Sequence, residues 1–552
     1  TFSITAGTAV ATDPEGDPIT FFAIANQAPT GPFPHAAGQP APPINGIGPY
    51  NTLGTVGITV YARDPLHGNP TPAQPDSATA WPVRNAIVGT SLPGWVYTGV
   101  AQTTHTLEWV EGIAVDPSGN VFLALRGGNN TNVGSGLVTS GTSAEFVVKL
   151  DAQGNFLGEV HFDTNPNTTF ESGAGLALDA AGNVFLYGLW RGTINLGGGN
   201  RSSNASLSSF NYDVFVVKLN NNLNYVWDWT STGPGDAQYS GVSAPLGNPI
   251  AVDLTDGDVA ITGGFSVTEN FGLAPLNNSA ASGLDPFVLK LNSAGSPQWG
   301  RHYPQSGTTS EQGYGLAFDE AGNLYNGGQY SNGADLGLGP RSSALGLSAY
   351  LVKLDGTTGS TTWDRTFGSA TQTGTENVTS VAVDGTRVYA GGGYFNGTDF
   401  GGGIRTASGT LSDPFIAAFN RTTGAYLWDF TVTGSTATEE MRAVAVEGGD
   451  LFAGGVFSNT VMIGPNSRTA VGGADMFLVK LGTDGSFVYD RTWGSSATEA
   501  MRALDVVNGD VFAGGTFSGT VDFDPGTPVV NRTATGGGDF FALRLNGTTG
   551  EF

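Results

Sequence analysis

One segment recurs seven times: GIAVDPSGNVFLAL at 112, GLALDAAGNVFLYG at 175, IAVDLTDGDVAITGG at 250, GLAFDEAGNLYNGG at 315, SVAVDGTRVYAGG at 380, AVAVEGGDLFAGG at 443 and ALDVVNGDVFAGG at 503. A second segment follows each: EFVVKLD, VFVVKLN, PFVLKLN, YLVKLD, PFIAAFN, MFLVKL and FFALRLN. All five lysines (Lys149, Lys218, Lys290, Lys353 and Lys480) fill one slot of it, with Ala418 and Arg544 in the remaining copies, at spacings of 69, 72, 63, 65, 62 and 64 residues. A unit this short buries little apolar surface alone, so the repeat must stack on copies of itself.

Each copy reads as four strands. An apolar stretch ending in Asp meets a Gly-Asn or Gly-Asp turn, which signals a hairpin. A β-branched and aromatic strand follows, then a polar Gly/Ser/Thr loop, the FVVKL strand, a TTG or SAG-type turn and an aromatic strand such as LWDFTVTG at 427. Four antiparallel strands repeated seven times describe a seven-bladed β-propeller, an all-β fold. The seventh copy ends at Phe552, where its outer strand should begin. Upstream, Pro93-Gly94-Trp95-Val96-Tyr97-Thr98-Gly99 aligns with the outer strand around Trp428. The expectation is a propeller over 94–552, closed by strand 94–99 as the outer strand of the last blade.

The VD-xx-GN-V turn, the DxFVVKL strand and the TG-xxx-W ending resemble the bacterial SBBP-type β-propeller repeat of secreted and cell-surface proteins. The resemblance implies a fold far more than an activity. FNRTTGAYLW at 419 is also similar to the repeat of pyrroloquinoline-quinone dehydrogenases. Those enzymes commonly set adjacent cysteines against the cofactor, and this chain has no cysteine, so the likeness reads as blade architecture. The Trp-Asp pairs at 227, 363 and 428 are similar to WD repeats, against which the 65-residue period argues.

Residues 1–66 lack the repeat and resemble a cadherin-like or Ig-like β-module. Ala11 to Phe21 reads as strand–turn–strand and Gly57 to Asp64 as a final strand. The segment is short for a complete sandwich of about 100 residues, so a strand from another copy could complete it. Asp13, Glu15, Asp17 and Asp64 could hold Ca2+ through hard oxygen ligands or form a metal-free acidic turn. Residues 67–93 read as a Pro/Gly-rich linker.

The formal net charge is −25, which argues against nucleic-acid partners. No apolar run approaches the roughly 18 residues of a membrane helix. Without cysteine, thiol catalysis and thiolate zinc sites are excluded. No P-loop, nucleophile elbow or His pair at metal-ligand spacing appears. No catalytic residue and no cofactor other than possible Ca2+ is assigned.

One acidic position recurs eight residues before the turn Asp: Glu108, Glu171, Glu311, Glu376, Glu439 and Glu499, with Asp236 the nearest substitute in the third copy. At a channel mouth these carboxylates would converge and recruit a cation or a basic group. The alternative is that each serves its own blade by accepting backbone hydrogen bonds or pairing with Arg. The lysine slot is expected to pair with a neighbouring blade's Asp. The series Trp229, Trp299, Trp363, Trp428 and Trp493 is expected to pack between blades, with Trp190 as an exposed aromatic. The long second-to-third loops are expected on a variable face.

These readings point to a non-catalytic, secreted or cell-surface propeller. It would act in adhesion, or as a subunit of a surface assembly polymerised through N-terminal strand exchange. Its partners would be other copies of itself, cell-surface proteins or glycans. The alternative is a secreted carbohydrate-active hydrolase or lyase using the channel-mouth carboxylates.

Overall fold

The computed structural model describes four strands within residues 1–92 and, from residue 94 to 552, the chain apart from short connecting segments. It is all-β, with no helix among the described residues. The chain divides into two units, Thr1–Leu92 and Pro93–Phe552.

In the first unit Phe2–Thr5 pairs antiparallel with Thr8–Ala11, and Thr20–Ala25 with Ile58–Arg63. Strands thus flank residues 12–19, each paired with a different strand. Asp13, Glu15, Asp17, Asp64 and the linker 67–93 lie outside the described residues.

In the second unit each repeat folds as an antiparallel meander. The first runs Trp109–Val115, Val121–Gly127, Ala144–Leu150 and Phe156–Phe162, each strand paired to the next. The turn Asp makes the first hairpin: Asp116 Oδ1 accepts the N–H groups of Ser118 and Asn120, both at 2.9 Å, while Gly119 takes a φ of +84°. The innermost strands, from Trp109–Val115 round to Ala500–Val507, contact one another in succession, and the last contacts the first. Val115 N–H donates to Asp505 Oδ2 at 2.8 Å across that last contact. The arrangement is a β-propeller of four-stranded antiparallel sheets. Apolar clusters fill the spaces between successive sheets, as where Phe122 and Val147 of the first repeat meet Leu186 and Val217 of the second.

Two features depart from a ring of separate sheets. Trp95–Thr98 is the fourth strand beside Asp539–Asn546, with Trp95 opposite Arg544. Val432 and Thr433 pair with Ile463 and Met462, which fuses the fifth and sixth repeats into one eight-stranded sheet.

The second-to-third loops are not open. In the fifth repeat Thr398–Asp399 and Ile404–Arg405 form a short hairpin, and Asp399 Oδ1 accepts the N–H groups of Gly401 and Gly403 at 2.7 and 2.9 Å. Comparable hairpins stand at Thr193–Asn195/Asn200–Ser202 and Thr520–Asp522/Asn531–Thr533. Their apolar residues Leu196, Phe400 and Phe523 are buried in the inter-sheet clusters. Their arginines fold back onto the outer strand: Arg201 to Asp228 (2.7 and 3.0 Å), Arg405 to Asp429 (2.7 and 2.6 Å). The Asp after the outer-strand Trp is thus an anchor for the hairpin. These bidentate pairs also blunt a sheet edge that would otherwise be exposed.

Candidate functional site

The cation slot repeats its residue type in most copies. A lysine among Phe, Val and Leu on the third strand points between sheets, where a charge is costly unless paired. Lys218 Nζ lies 3.1 Å from Asp179, Lys290 3.0 Å from Asp258 and Lys480 2.7 Å from Asp450. Arg544 pairs with Asp510 in the same way. Each Asp belongs to the same repeat as its cation, which corrects the expectation of a neighbour's Asp. The neighbour supplies a backbone carbonyl instead: Lys290 donates to Gly356 O (3.2 Å), Lys480 to Gly547 O (2.9 Å) and Arg544 to Ala152 O (3.0 Å). In the fifth repeat, where Ala418 leaves no cation, the Tyr389 hydroxyl donates to Asp384 at 2.6 Å.

The outer-strand aromatic opposite the cation reaches the same turn. Trp299 Nε1 donates to Gly356 O at 3.0 Å, Trp363 to Arg421 O at 3.2 Å, Trp428 to Thr483 O at 3.0 Å and Trp95 to Ala152 O at 3.2 Å. Each ring lies against a turn glycine with positive φ: Gly359 (+68°), Gly424 (+67°), Gly485 (+88°) and Gly154 (+79°). A Cβ on Gly154 would come within 2.6 Å of the Trp95 ring. Trp227 occupies this position in the second repeat, not Trp229, and Tyr489 in the sixth, not Trp493. Trp229 stacks on Phe271, and Trp493 donates to Phe523 O at 2.9 Å. Trp190, expected to be exposed, is buried.

The recurring Glu residues are buried. Glu108, Glu311, Glu376, Glu439 and Glu499 are no more than 2% exposed. Each N–H donates to a carbonyl of the preceding repeat, one residue before the acid slot of its FVVKL segment: Gly538, Leu284, Leu347, Ser412 and Ala474, at 2.8–3.2 Å. Thr131 Oγ1 donates to Glu108 at 2.6 Å, Ser369 N to Glu376 at 2.8 Å, and Ser495 Oγ and N to Glu499 at 2.6 and 2.9 Å. These five carboxylates thus stand one at each of five junctions. Glu171 is described only as the first residue of a strand, and Asp236 lies outside the described residues.

A second acid follows four of these five carbonyls: Asp285, Asp413 and Asp539, which begin their third strands, and Asp475, which lies within Asn466–Gly482, are all buried. Their signal was the first letter of the DxFVVKL motif. Burial pushes the Glu376 carboxyl up to about 7 and that of Asp413 up to about 6. It also raises Glu499, with a smaller push from the Asp475 charge. Buried acids held by N–H and hydroxyl donors fix the entry of each inner strand. No group of three or more metal-ligating side chains occurs among the described residues.

No family model matches the chain. A 290-residue stretch is 24% identical to the Regulatory protein FlaEY of Caulobacter vibrioides, covering 49% of this chain and 30% of that protein. The chain therefore spans less than a third of that relative's length. Solved structures with similarity include the β-propeller domain of the Trilobed protease from Pyrococcus furiosus (6% identity, 74% of this chain, 92% of that one, TM-score 0.36). Another is quinohemoprotein alcohol dehydrogenase from Comamonas testosteroni (11% identity, 82% and 76%, TM-score 0.37). At these scores the strand pairing itself, and not the likeness, establishes the propeller.

Proposed function

We propose that this chain is a non-catalytic, seven-bladed propeller of the SBBP-repeat type, exported to the cell surface. There it acts in adhesion or as a subunit of a surface assembly, with copies of itself, surface proteins or glycans as partners. Completion of the N-terminal Ig-like module by a strand from another copy would supply a route to filaments. The observation that carries the reading is what the recurring polar residues do. Lysine, turn Asp, outer-strand Trp, hairpin Arg and junction Glu each hold one sheet to itself or to the next. This supports the reading of a rigid ring whose repeated residues serve its own architecture.

Two measurements test it. Protease treatment of intact producing cells should remove the protein, while protection until lysis would contradict surface display. Incubation of the purified chain with a polysaccharide panel should release no product, while release of oligosaccharides would contradict the non-catalytic reading.

A further inference from the structure

Residues that repeat hold the ring together. A position that stays fixed in the fold but changes identity from repeat to repeat is free for another task. The inner strands carry such a position. Register shifts leave Glu111, Ala174, Tyr314, Thr379, Arg442 and Arg502 at β-bulges, without a partner on the second strand. A bulge re-aims its side chain and is common beside binding sites. Thr379 spends its hydroxyl on Met441 O at 2.6 Å. The two arginines keep buried donors in reserve.

Arg442 and Arg502 stand on adjacent, contacting inner strands, Glu440–Glu447 and Ala500–Val507. Arg442 gives Nε and Nη2 to Glu440 Oε2 at 2.8 and 2.7 Å, while its Nη1 is buried with no hydrogen-bond partner among the described residues. Arg502 makes neither a hydrogen bond nor an ion pair among the described residues, and its Nε is buried. Its guanidinium carbon lies 5.2 Å from the centre of the Trp109 ring, which also carries Arg126 at 5.0 Å. Trp109 Nε1 in turn donates to Glu111 Oε1 at 2.9 Å. Buried guanidinium donors left idle are costly, and such donors normally have an acceptor. Burial and the Arg442 charge push Arg502 down to about 9, against the opposing pull of the Glu111 and Glu440 carboxylates, neither of which reaches its guanidinium as a hydrogen-bonded partner.

We propose that Arg502 and Arg442 form an anion-binding site on the inner strands of the sixth and seventh repeats, beside Trp109, which takes the carboxylate group of a small ligand. The two oxygens of a carboxylate match the planar fork of arginine. The net charge of −25 opposes more highly charged phosphates. This inference does not depend on surface display or on the lack of catalysis.

Calorimetric titration of the full chain with sodium glucuronate, acetate and inorganic phosphate, at matched ionic strength and with glucose as the neutral probe, tests it. The expected result is saturable binding of one equivalent of glucuronate or acetate, weakened at least about tenfold in Arg502→Gln and in Arg442→Gln. Glucuronate binding without acetate would assign the ligand to acidic sugars; binding of both would assign the site to carboxylates in general. No binding of either carboxylate up to about 10 mM, equal binding by Arg502→Gln, or tighter binding of phosphate would overturn the proposal. Should Arg502→Gln fail to fold, two measurements replace it. Arg502→Lys, which keeps the charge and loses the fork, should bind more weakly. The thermal midpoint of the unaltered chain should rise with the bound carboxylate and not with glucose. No rise, or unchanged binding by the Lys variant, would overturn it.

Discussion

The junction that closes the ring and the junction next to it solve one packing problem in opposite ways. At the closure, Trp95 from ahead of the first repeat lies on Gly154, and its indole N–H shares the Ala152 carbonyl with Arg544. Between the first and second repeats the partners have exchanged sizes. The aromatic slot opposite Lys149 holds Gly158, and the receiving turn holds Leu223 with a φ of +61° where the other turns have glycine. An Asn side chain replaces the indole: Lys149 Nζ donates to Asn221 O and Oδ1 at 2.8 and 2.6 Å, while Asn221 Nδ2 reaches Asp116 at 3.2 Å. The lesson is that volume across a junction is kept, while the side that supplies it is free to change. Leu223 takes a left-handed backbone, which costs a branched residue about 1–2 kcal/mol, at the junction where no aromatic ring stands opposite the lysine, and it packs on the inter-sheet cluster instead.

Removing the ring at a standard junction should have the largest effect. Trp299→Ala, at a buried indole, should cost about 3–5 kcal/mol in denaturant unfolding. Leu223→Ala should cost far less. Equal losses would mean that the aromatic latch is not what separates the two kinds of junction.

The fourth-to-fifth junction differs in its acids, because Ser348 stands in the third-strand slot that holds Asp or Glu in the other repeats and leaves Glu376 without a second acid there. Its folded pKa is raised from 4.5 to about 7, so the native state binds more protons between those values. Stability from this group is therefore greatest below about pH 4.5 and falls as pH rises through 7, by on the order of 2–3 kcal/mol. Glu376→Gln should flatten the loss between pH 5 and 8 seen in denaturant midpoints; an unchanged pH slope would contradict the assignment.

Rebuilding the standard latch at the odd junction sharpens the comparison further. Gly158→Trp alone should destabilise, and adding Leu223→Gly should restore the loss, giving a coupling of about 1–2 kcal/mol in a double-mutant cycle. Additive effects would show that the two positions do not meet. The smallest effect belongs to Leu223→Gly alone. It should change stability by less than about 1 kcal/mol, as relief of the left-handed strain offsets lost packing.

Much of this was legible in the sequence because it is periodic. The lysine slot, the Asp turns and the outer strand fall at fixed spacings, and periodicity survives without knowing any contact. What direction a side chain takes around the ring is not periodic information. The Asp partner of each lysine was expected on a neighbour and lies in its own sheet, since spacing along the chain does not say which of two adjacent sheets a third-strand side chain meets. Trp229 and Trp493 were aligned by residue type, although strand register puts Trp227 and Tyr489 in the latch. Trp190 is the last residue of the second strand, at the point where the sequence suggests a surface loop begins. The hairpin that begins at Thr193 folds back and buries it. The junction Glu residues form a set at fixed spacing, but spacing cannot say that their N–H groups reach the preceding repeat while their carboxylates take donors such as Ser369 and Ser495.

The closing strand is the claim on which the ring depends, and the absence of native cysteine makes it directly testable. Val96 and Leu543 are antiparallel partners in the last sheet, and such opposed positions lie within reach of a disulfide. In the double variant Val96→Cys, Leu543→Cys, oxidation should give a near-complete intramolecular cross-link and raise the thermal midpoint. Free thiols after oxidation, or cross-links only between chains, would contradict a ring closed by residues 95–98.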